Sequence, residues 1–369
     1  MKKYRIIHII PSLNTGGAEN VVKNYALNIN KELFDFEIVV NSIETNSVYY
    51  KELKDNDIKV SFLGSNNRNY IEKMADFKSR SKRLFDYLVK AKPDIVHMHL
   101  SLYYLSKKQY KILHDMGVKY CYTCHSDLKK DLNKIWQFNM AKYLINNCEM
   151  SIISLNEKAK ADIRKRLKVD STIITNGVVV EKYINKDGLK KRNELGIPND
   201  YFVLGHVGSM SKAKNHKFII DVFNRIHSSN SKSLLLLVVG GENDISIINY
   251  IENNNLNNDV LVLNNRKDVN ELLSCMDAFI FPSLYEGYPV SLIEAQISGL
   301  RCVVSDTVTK EACISSNTVF LSLNDEIEKW ADELTKNNKL KTIVNYENVD
   351  LKNTMKKVEK FYKEIITYA

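Results

Sequence analysis

The chain has 369 residues, 44% of them apolar and 26% charged, which fits a globular protein of two ordinary domains and excludes disordered and fibrous classes. No apolar run approaches the ~20 residues of a membrane span. The basic start MKKYRIIHII mimics a signal peptide, but its apolar run is short, holds His8 and precedes no small-residue cleavage site, so a first strand and a cytoplasmic protein are expected. The formal charge of +9 is lopsided, with a net +11 over residues 1–180 and −2 over the rest. A basic half beside a neutral one suggests an anionic partner on one side only, nucleic acid or an acidic membrane surface, unless it is a Lys-rich solvated face.

In chain order, Arg5 to Ile10 reads as a strand, Pro11 to Gly17 as a loop with a double glycine, and Ala18 to Asn30 as a helix with one apolar face. A glycine loop between strand and helix lets backbone approach a ligand, although Gly16-Gly17 alone is also an ordinary turn. Neither G-x-G-x-x-G nor a P-loop occurs. Strands follow near Phe36–Val40 and Lys59–Leu63. Ile71 to Lys92 is a basic amphipathic helix, suited to anionic lipid or to the outside of an α/β layer.

Pro93-Asp94 opens the strand Ile95 to His99, where His97 and His99 share a face. The strand from Lys119 to Thr123 ends at His125, so imidazoles gather at two strand ends, as ligand contacts or as satisfied core groups. Cys121-x-x-Cys124-His125 matches haem attachment by letters only. In a strand, positions 121 and 124 point to opposite faces, which also excludes a zinc pair. The six cysteines otherwise read as small buried hydrophobes. Ser101–Met116 and Asp131–Ile145 read as helices, Met150–Ser154 as a strand, and a helix starts at Glu157. Asn176-Gly177 is a turn signal, and residues 179–200 are polar and basic, the place for a domain boundary.

A second strand–helix alternation starts at Phe202, with strands near 202–207, 234–239, 260–263, 278–281, 302–304 and 318–321. Two such halves imply two doubly wound domains. Within the second half, Ala278–Phe281 is a buried-strand pattern, Pro282–Pro289 a loop, and Pro289 suits the first position of a helix that Gly299 stops. Amides at that helix start suit an anion or a row of hydroxyls. Glu286 and Glu294 lie roughly 10 Å apart along the chain axis, too far for a dyad acting on one bond. They suit an elongated polyhydroxyl ligand, or else form a cap and a solvated carboxylate.

Glu286-x7-Glu294 within FPSLYEGYPVSLIEAQISGL resembles the signature of glycosyltransferase family 4. Co-linear pieces agree: Gly16-Gly17-Ala18-Glu19, PDIVHMH ending at His99, TCHS around His125, Asn176-Gly177-Val178, HVGSMSKAKNH from His206, Arg266-Lys267-Asp268-Val269 and FLSLNDEIEKWADEL from Phe320. The chain is most similar to the capsular and exopolysaccharide subgroup. The resemblance implies a GT-B fold, two Rossmann-like α/β domains facing across a cleft: an acceptor domain over 1–183, a nucleotide-sugar domain over 184–350, and a helix over 351–369 returning to the first. It implies a retaining transfer from a nucleotide-sugar, a UDP-sugar for preference, to a lipid-linked or saccharide acceptor.

The resemblance also assigns residues. Glu294 would accept from ribose hydroxyls, Glu286 would touch the donor sugar, and Gly287, Tyr288, Pro289, Val290 and Ser291 would line sugar and diphosphate. Lys214 would neutralise the departing diphosphate. Gly16 and Gly17 would lie near the transferred sugar, His125 by sugar or acceptor, with His99 and Asn176 at the cleft. One departure stands out: Ser209 occupies a position where the family usually has Arg, a second diphosphate cation worth ~2–4 kcal/mol. Either Lys212 or Arg266 substitutes, or the enzyme is slow, or the donor is held differently. Asn264-Asn265 stands where the family often has glycine. Lacking an Asp-x-Asp at a strand end, the chain is expected to need no metal, and no cofactor beyond its sugar-nucleotide substrate. The basic half would meet a lipid-diphosphate acceptor at an anionic membrane surface, making the protein peripheral there. Without an aromatic–basic motif, nucleic acid is not an expected partner. A nucleotide-sugar epimerase of the same architecture and a non-catalytic binding subunit are the competing readings.

Overall fold

The computed structural model describes residues 3–14, 16–43, 47–64, 70–125, 128, 132, 134–336 and 344–367, with backbone alone for 70–77. It divides into two compact units, Met1–Asn176 with Lys352–Ala369, and Gly177–Leu351.

The first unit is built on seven parallel strands: β1 (Tyr4–Ile10), β2 (Phe34–Val40), β3 (Lys59–Phe62), β4 (Ile95–His99), β5 (Lys119–Cys124), β6 (Ser151–Ser154) and β7 (Thr172–Ile173). Their order is β3-β2-β1-β4-β5-β6-β7. The second unit has six parallel strands: β8 (Phe202–Val207), β9 (Ser233–Val239), β10 (Val260–Asn264), β11 (Ala278–Phe281), β12 (Arg301–Ser305) and β13 (Thr318–Leu321), in the order β10-β9-β8-β11-β12-β13. Strands covered on both faces by helices read as unbroken apolar runs, which is why β4, β11 and β12 are buried from end to end. Both orders reverse beside the first strand, between β1 and β4 and between β8 and β11. Crevices beyond the carboxyl ends of strands at such a reversal are where open α/β sheets take ligands.

Several expectations shift. The stretch 179–200 is not a linker. It holds a 3-10 turn (Val180–Lys182) and a helix (Gly188–Leu195) capped by Asp187 and ended by Gly196 at φ +70°. The buried Arg192 ties that helix to the second unit through the carbonyls of Cys275, Asn199 and Tyr201 and the Asp277 carboxylate. Backbone bonds of Val178 to Val349 and Leu351 hold residues before the 183/184 boundary to the same unit. The helix expected from Ser101 begins at Lys107, because Ser106 and Gln109 form a capping box there. Leu102, Tyr104 and Leu105 are instead core side chains. The start of the Asp131–Ile145 helix lies partly outside the described residues, and the described helix is Ile135–Cys148.

The helix Leu351–Thr367 packs on the first sheet, with Glu359 accepting from the Asn30 amide and Thr354 donating to the Thr175 carbonyl. Among the described residues no helix is long and apolar enough to cross a membrane.

Candidate functional site

In the second unit the loop leaving β11 and the loop leaving β8 meet. The Leu284 amide donates to the Ala213 carbonyl at 2.8 Å. Lys214 closes a 3-10 turn (Lys212–Lys214) and its Nζ lies 2.6 Å from Glu286 Oε1 and 4.8 Å from the Phe281 ring centroid. Both side chains are mostly enclosed, 16% and 13% exposed. Gly208 is required here: a Cβ on it would come within 3.3 Å of the Lys214 stem and 3.0 Å of His206 Nε2. A single fixed cation is thus held over an aromatic face at the mouth of a central strand.

The helix Val290–Ile297 starts beside this pair. Pro289 is its N-cap rather than its first residue and offers no side-chain cap, so first-turn amides point at the loop. Gly299 at φ +81° accepts the left-handed turn that ends the helix. Glu294 is buried on this helix, and its Oε1 accepts from Tyr183 Oη at 2.6 Å. The two glutamates therefore have separate partners, and no shared bond for a dyad arises. Gly287, Val290 and Ser291 are half-buried along the same loop and helix start, while Tyr288 and Pro289 are buried. Burial pushes the Tyr288 phenol up to about 12.

Ser209 is exposed, and its hydroxyl meets only that of Ser211, at 3.2 Å. Arg266 is held by both oxygens of Asp268 at 2.8 and 2.6 Å, a two-pronged pair that turns it away from a substitute role. Asn265 sits at φ +50° and clasps Gly241, accepting from its amide at 2.8 Å. Asparagine is among the few residues other than glycine that tolerate this backbone. The sequence reading missed a group of buried atoms nearby: among the described residues, His206 Nε2, both ring nitrogens of His216 and Ser283 Oγ have no hydrogen-bond partner. His206 Nδ1 bonds the Ile280 carbonyl at 2.9 Å, and the two rings stand edge to face at 5.1 Å. Burial, then Lys214, lowers His216 to about 4, and burial holds His206 well below the usual imidazole range. Cross-strand position was the available signal, since β8 lies beside β11 at the sheet reversal.

In the first unit Gly16 caps the helix Gly17–Asn28. Its missing side chain makes room for the Glu19 carboxylate, which a Cβ would strike at 2.2 Å, whereas a Cβ on Gly17 would meet open space. Burial raises the Glu19 pKa. His125 follows β5 and is half-buried, while Ser126 of the TCHS motif lies outside the described residues. His99 is fully enclosed rather than open to a cleft, and its Nδ1 lies 2.8 Å from His125 Nε2. Asn176 is also buried, with Oδ1 unpartnered among the described residues. His8 and Tyr362 belong to the same cluster and were not foreseen, although His8 faces His97 in the β1–β4 register.

Family models match almost end to end: "Glycosyltransferase Family 4" over residues 15–182 and "Glycosyl transferases group 1" over 187–347. The chain is similar to the putative glycosyltransferase EpsF of Bacillus subtilis, 25% identical with 90% of this chain and 87% of the relative covered. It is 28% identical to the UDP-Gal:alpha-D-GlcNAc-diphosphoundecaprenol alpha-1,3-galactosyltransferase of Escherichia coli, with 88% and 85% covered. The solved structure of Anabaena Alr3699/HepE in complex with UDP and glucose superposes with a TM-score of 0.74 at 16% identity, covering 97% of this chain and 99% of that one, a likeness of fold. Two matched halves, one after the other on two parallel sheets of the same order, place the chain in glycosyltransferase family 4, as a glycosyltransferase of the GT-B fold.

Proposed function

We propose that the protein transfers a sugar from a UDP-sugar to a lipid-linked or saccharide acceptor in bacterial capsule or exopolysaccharide synthesis, with retention of anomeric configuration. The observation that carries this reading is the Lys214–Glu286 pair at the mouth of β11, beside the start of the helix Val290–Ile297. On a diphosphate, Lys214 Nζ and the first-turn amides neutralise charge as the sugar–phosphate bond breaks, where fixed cations and helix starts contribute most. Glu286, released from or shared with Lys214, accepts from hydroxyls of the transferred sugar. Glu294, oriented by Tyr183, accepts from the ribose hydroxyls.

The E. coli relative's name gives a UDP-sugar and a lipid-diphosphate acceptor, and the Anabaena structure holds UDP, which supports the same donor class here. The first unit binds the acceptor, with His125 as the group that meets substrate, and its basic excess favours an anionic membrane surface. Glu286 is engaged by a cation rather than poised as a nucleophile. The acceptor oxygen therefore attacks on the face the diphosphate leaves, and the leaving phosphate oxygen takes the acceptor proton.

Purified protein incubated with UDP-sugars and a polyprenyl-diphosphate-linked sugar should yield product of unchanged anomeric configuration. A covalent sugar on Glu286 would overturn the mechanism. A donor at 100 times its dissociation constant should add about 2.7 kcal/mol to stability. Co-sedimentation should favour anionic over neutral vesicles at low salt, and chelators should leave turnover unchanged. Ser209 is the one observation that favours a second reading, a sugar-nucleotide-binding subunit without activity; hydrolysis or transfer of any donor excludes it.

A further inference from the structure

Six side chains of the first unit form one string of hydrogen bonds. Thr123 Oγ1 lies 2.7 Å from His97 Nε2, and His97 Nδ1 lies 2.7 Å from Tyr362 Oη. Tyr362 Oη lies 2.9 Å from His8 Nε2, and His8 Nδ1 lies 2.9 Å from His99 Nε2. His99 Nδ1 then lies 2.8 Å from His125 Nε2. His8, His97, His99 and Thr123 are wholly buried, and Tyr362 from the C-terminal helix is too. Burial, then the neighbouring imidazoles, holds the three enclosed rings neutral.

Proton bookkeeping restricts such a string. A neutral imidazole has one N–H and one lone pair, and a phenol has one hydrogen. Tyr362 stands between two ring nitrogens, so it donates to one and accepts from the other. Each enclosed ring must likewise donate on one side and accept on the other. Only two arrangements satisfy every contact and also give the Tyr362 hydrogen an acceptor among these groups. Donation can run from Thr123 through His97, Tyr362, His8 and His99 into His125 Nε2, which leaves the hydrogen on His125 Nδ1. Or it runs the other way, with the hydrogen on His125 Nε2. Any other arrangement sets two hydrogens or two lone pairs face to face, or strands the Tyr362 hydrogen, in a dry interior where an unmet polar group is costly.

We propose that this string is a tautomer relay in which Tyr362, His8 and His99 act as positioning residues, tying the ring nitrogen of His125 that carries the hydrogen to the direction in which the whole string donates. It rests on the reading of His125 as the group that meets substrate. A shared metal is the obvious rival, because ring nitrogens of His8, His97 and His99 lie within 4.8 Å of one another. The rings, however, direct those nitrogens at one another and at Tyr362, and His97 is layered on His99 at 4.2 Å and 26°. Ligating imidazoles aim in-plane lone pairs at one point, which layered rings do not share.

The test uses the full chain labelled with nitrogen-15 histidine, with two-bond proton–nitrogen spectra to read each tautomer. Wild type should show His125 in one tautomer. Tyr362→Phe, which does not touch His125, should populate both and lower turnover about two- to tenfold, since only the fraction in the wrong tautomer is lost. Thr123→Val should shift the same signals, and Thr123→Ser should restore them, which keeps the test alive if Tyr362→Phe fails to fold. Unchanged His125 signals in both Tyr362→Phe and Thr123→Val would overturn the relay, as would one equivalent of tightly held zinc. If the tautomer shifts but His125→Ala transfers at the wild-type rate, the relay stands and the substrate role of His125 falls. If His125→Ala is slow while the signals never move, the reverse holds.

Discussion

At the reversal between β1 and β4 the enclosed imidazoles are all partnered, although the Tyr25 hydroxyl beside His8 has no partner among the described residues. His8, His97 and His99 close their hydrogen bonds on Thr123, Tyr362 and His125. At the equivalent reversal between β8 and β11, His206 bonds Ile280, but its other nitrogen, both of His216 and the Ser283 hydroxyl find no partner among the described residues. Buried polar atoms are paired in the great majority of cases, and exceptions ask for an explanation. The same sheet order thus supports a self-contained scaffold that presents one imidazole, and a polar recess with a cation and a helix start beside it. The second is the arrangement that gains from a polyhydroxyl anion.

Acid should separate the two units most strongly. Burial depresses the histidine pKa values in the fold, so the unfolded chain takes up protons first and stability, intact above about pH 6.5, falls on acidification. At full slope each histidine removes about 1.4 kcal/mol per pH unit. Three buried imidazoles (8, 97, 99) give the first unit about 4 kcal/mol per unit, and two (206, 216) give the second about 3. Below about pH 4, the value for His216, its share stops growing. Hydrogen exchange read peptide by peptide at pH 7 and 5 measures this. Equal losses in both units would contradict the contrast.

Next in size is Lys214→Ala, expected to lower turnover by about 10²–10³, or roughly 3–4 kcal/mol of transition-state stabilisation. Donor binding should weaken far less, because the charge it meets develops as the diphosphate leaves. A wild-type rate in that variant would detach the recess from the chemistry. Glu294→Ala should act the other way, raising the donor dissociation constant about 10- to 100-fold with turnover nearly intact, from loss of a charged acceptor worth about 1.5–3 kcal/mol. Titration calorimetry with UDP checks it, and Tyr183→Phe should show a fraction of the effect, since it removes only the group that orients Glu294.

Most of the scaffold was legible because strands buried on both faces are continuous apolar runs, as in Ile95–His99 and Ala278–Phe281. Lys214 and Glu286 could each be singled out, but their 2.6 Å pairing across 72 residues could not. Tyr362 was out of reach for the same reason: it meets His8 from 354 residues away. The polar, basic composition of residues 179–200 does not reveal what Lys191 and Arg192 do. In the fold Lys191 bridges Glu194, Asp268 and Glu271, and Arg192 stitches carbonyls together. Residues 101–106 look helical by apolar spacing, but a local capping box moves the start to Lys107.

The smallest expected effect concerns Ser209, and it sharpens what the recess lacks. The side chain is exposed and its hydroxyl bonds that of Ser211, so an arginine there has solvent to extend into. Arg266 could reach a diphosphate only by giving up its two-pronged bond to Asp268. Lys212, exposed two residues before Lys214, is then the remaining candidate for a second cation. If Lys212 serves, Ser209→Arg raises kcat/KM by about threefold in the wild type and by tenfold or more in a Lys212→Ala background, about 0.7 and 1.4 kcal/mol. Non-additivity of this kind marks two groups acting on one charge. Equal gains in the two backgrounds would mean that Lys212 never meets the diphosphate, and that Lys214 and the helix start carry its charge alone.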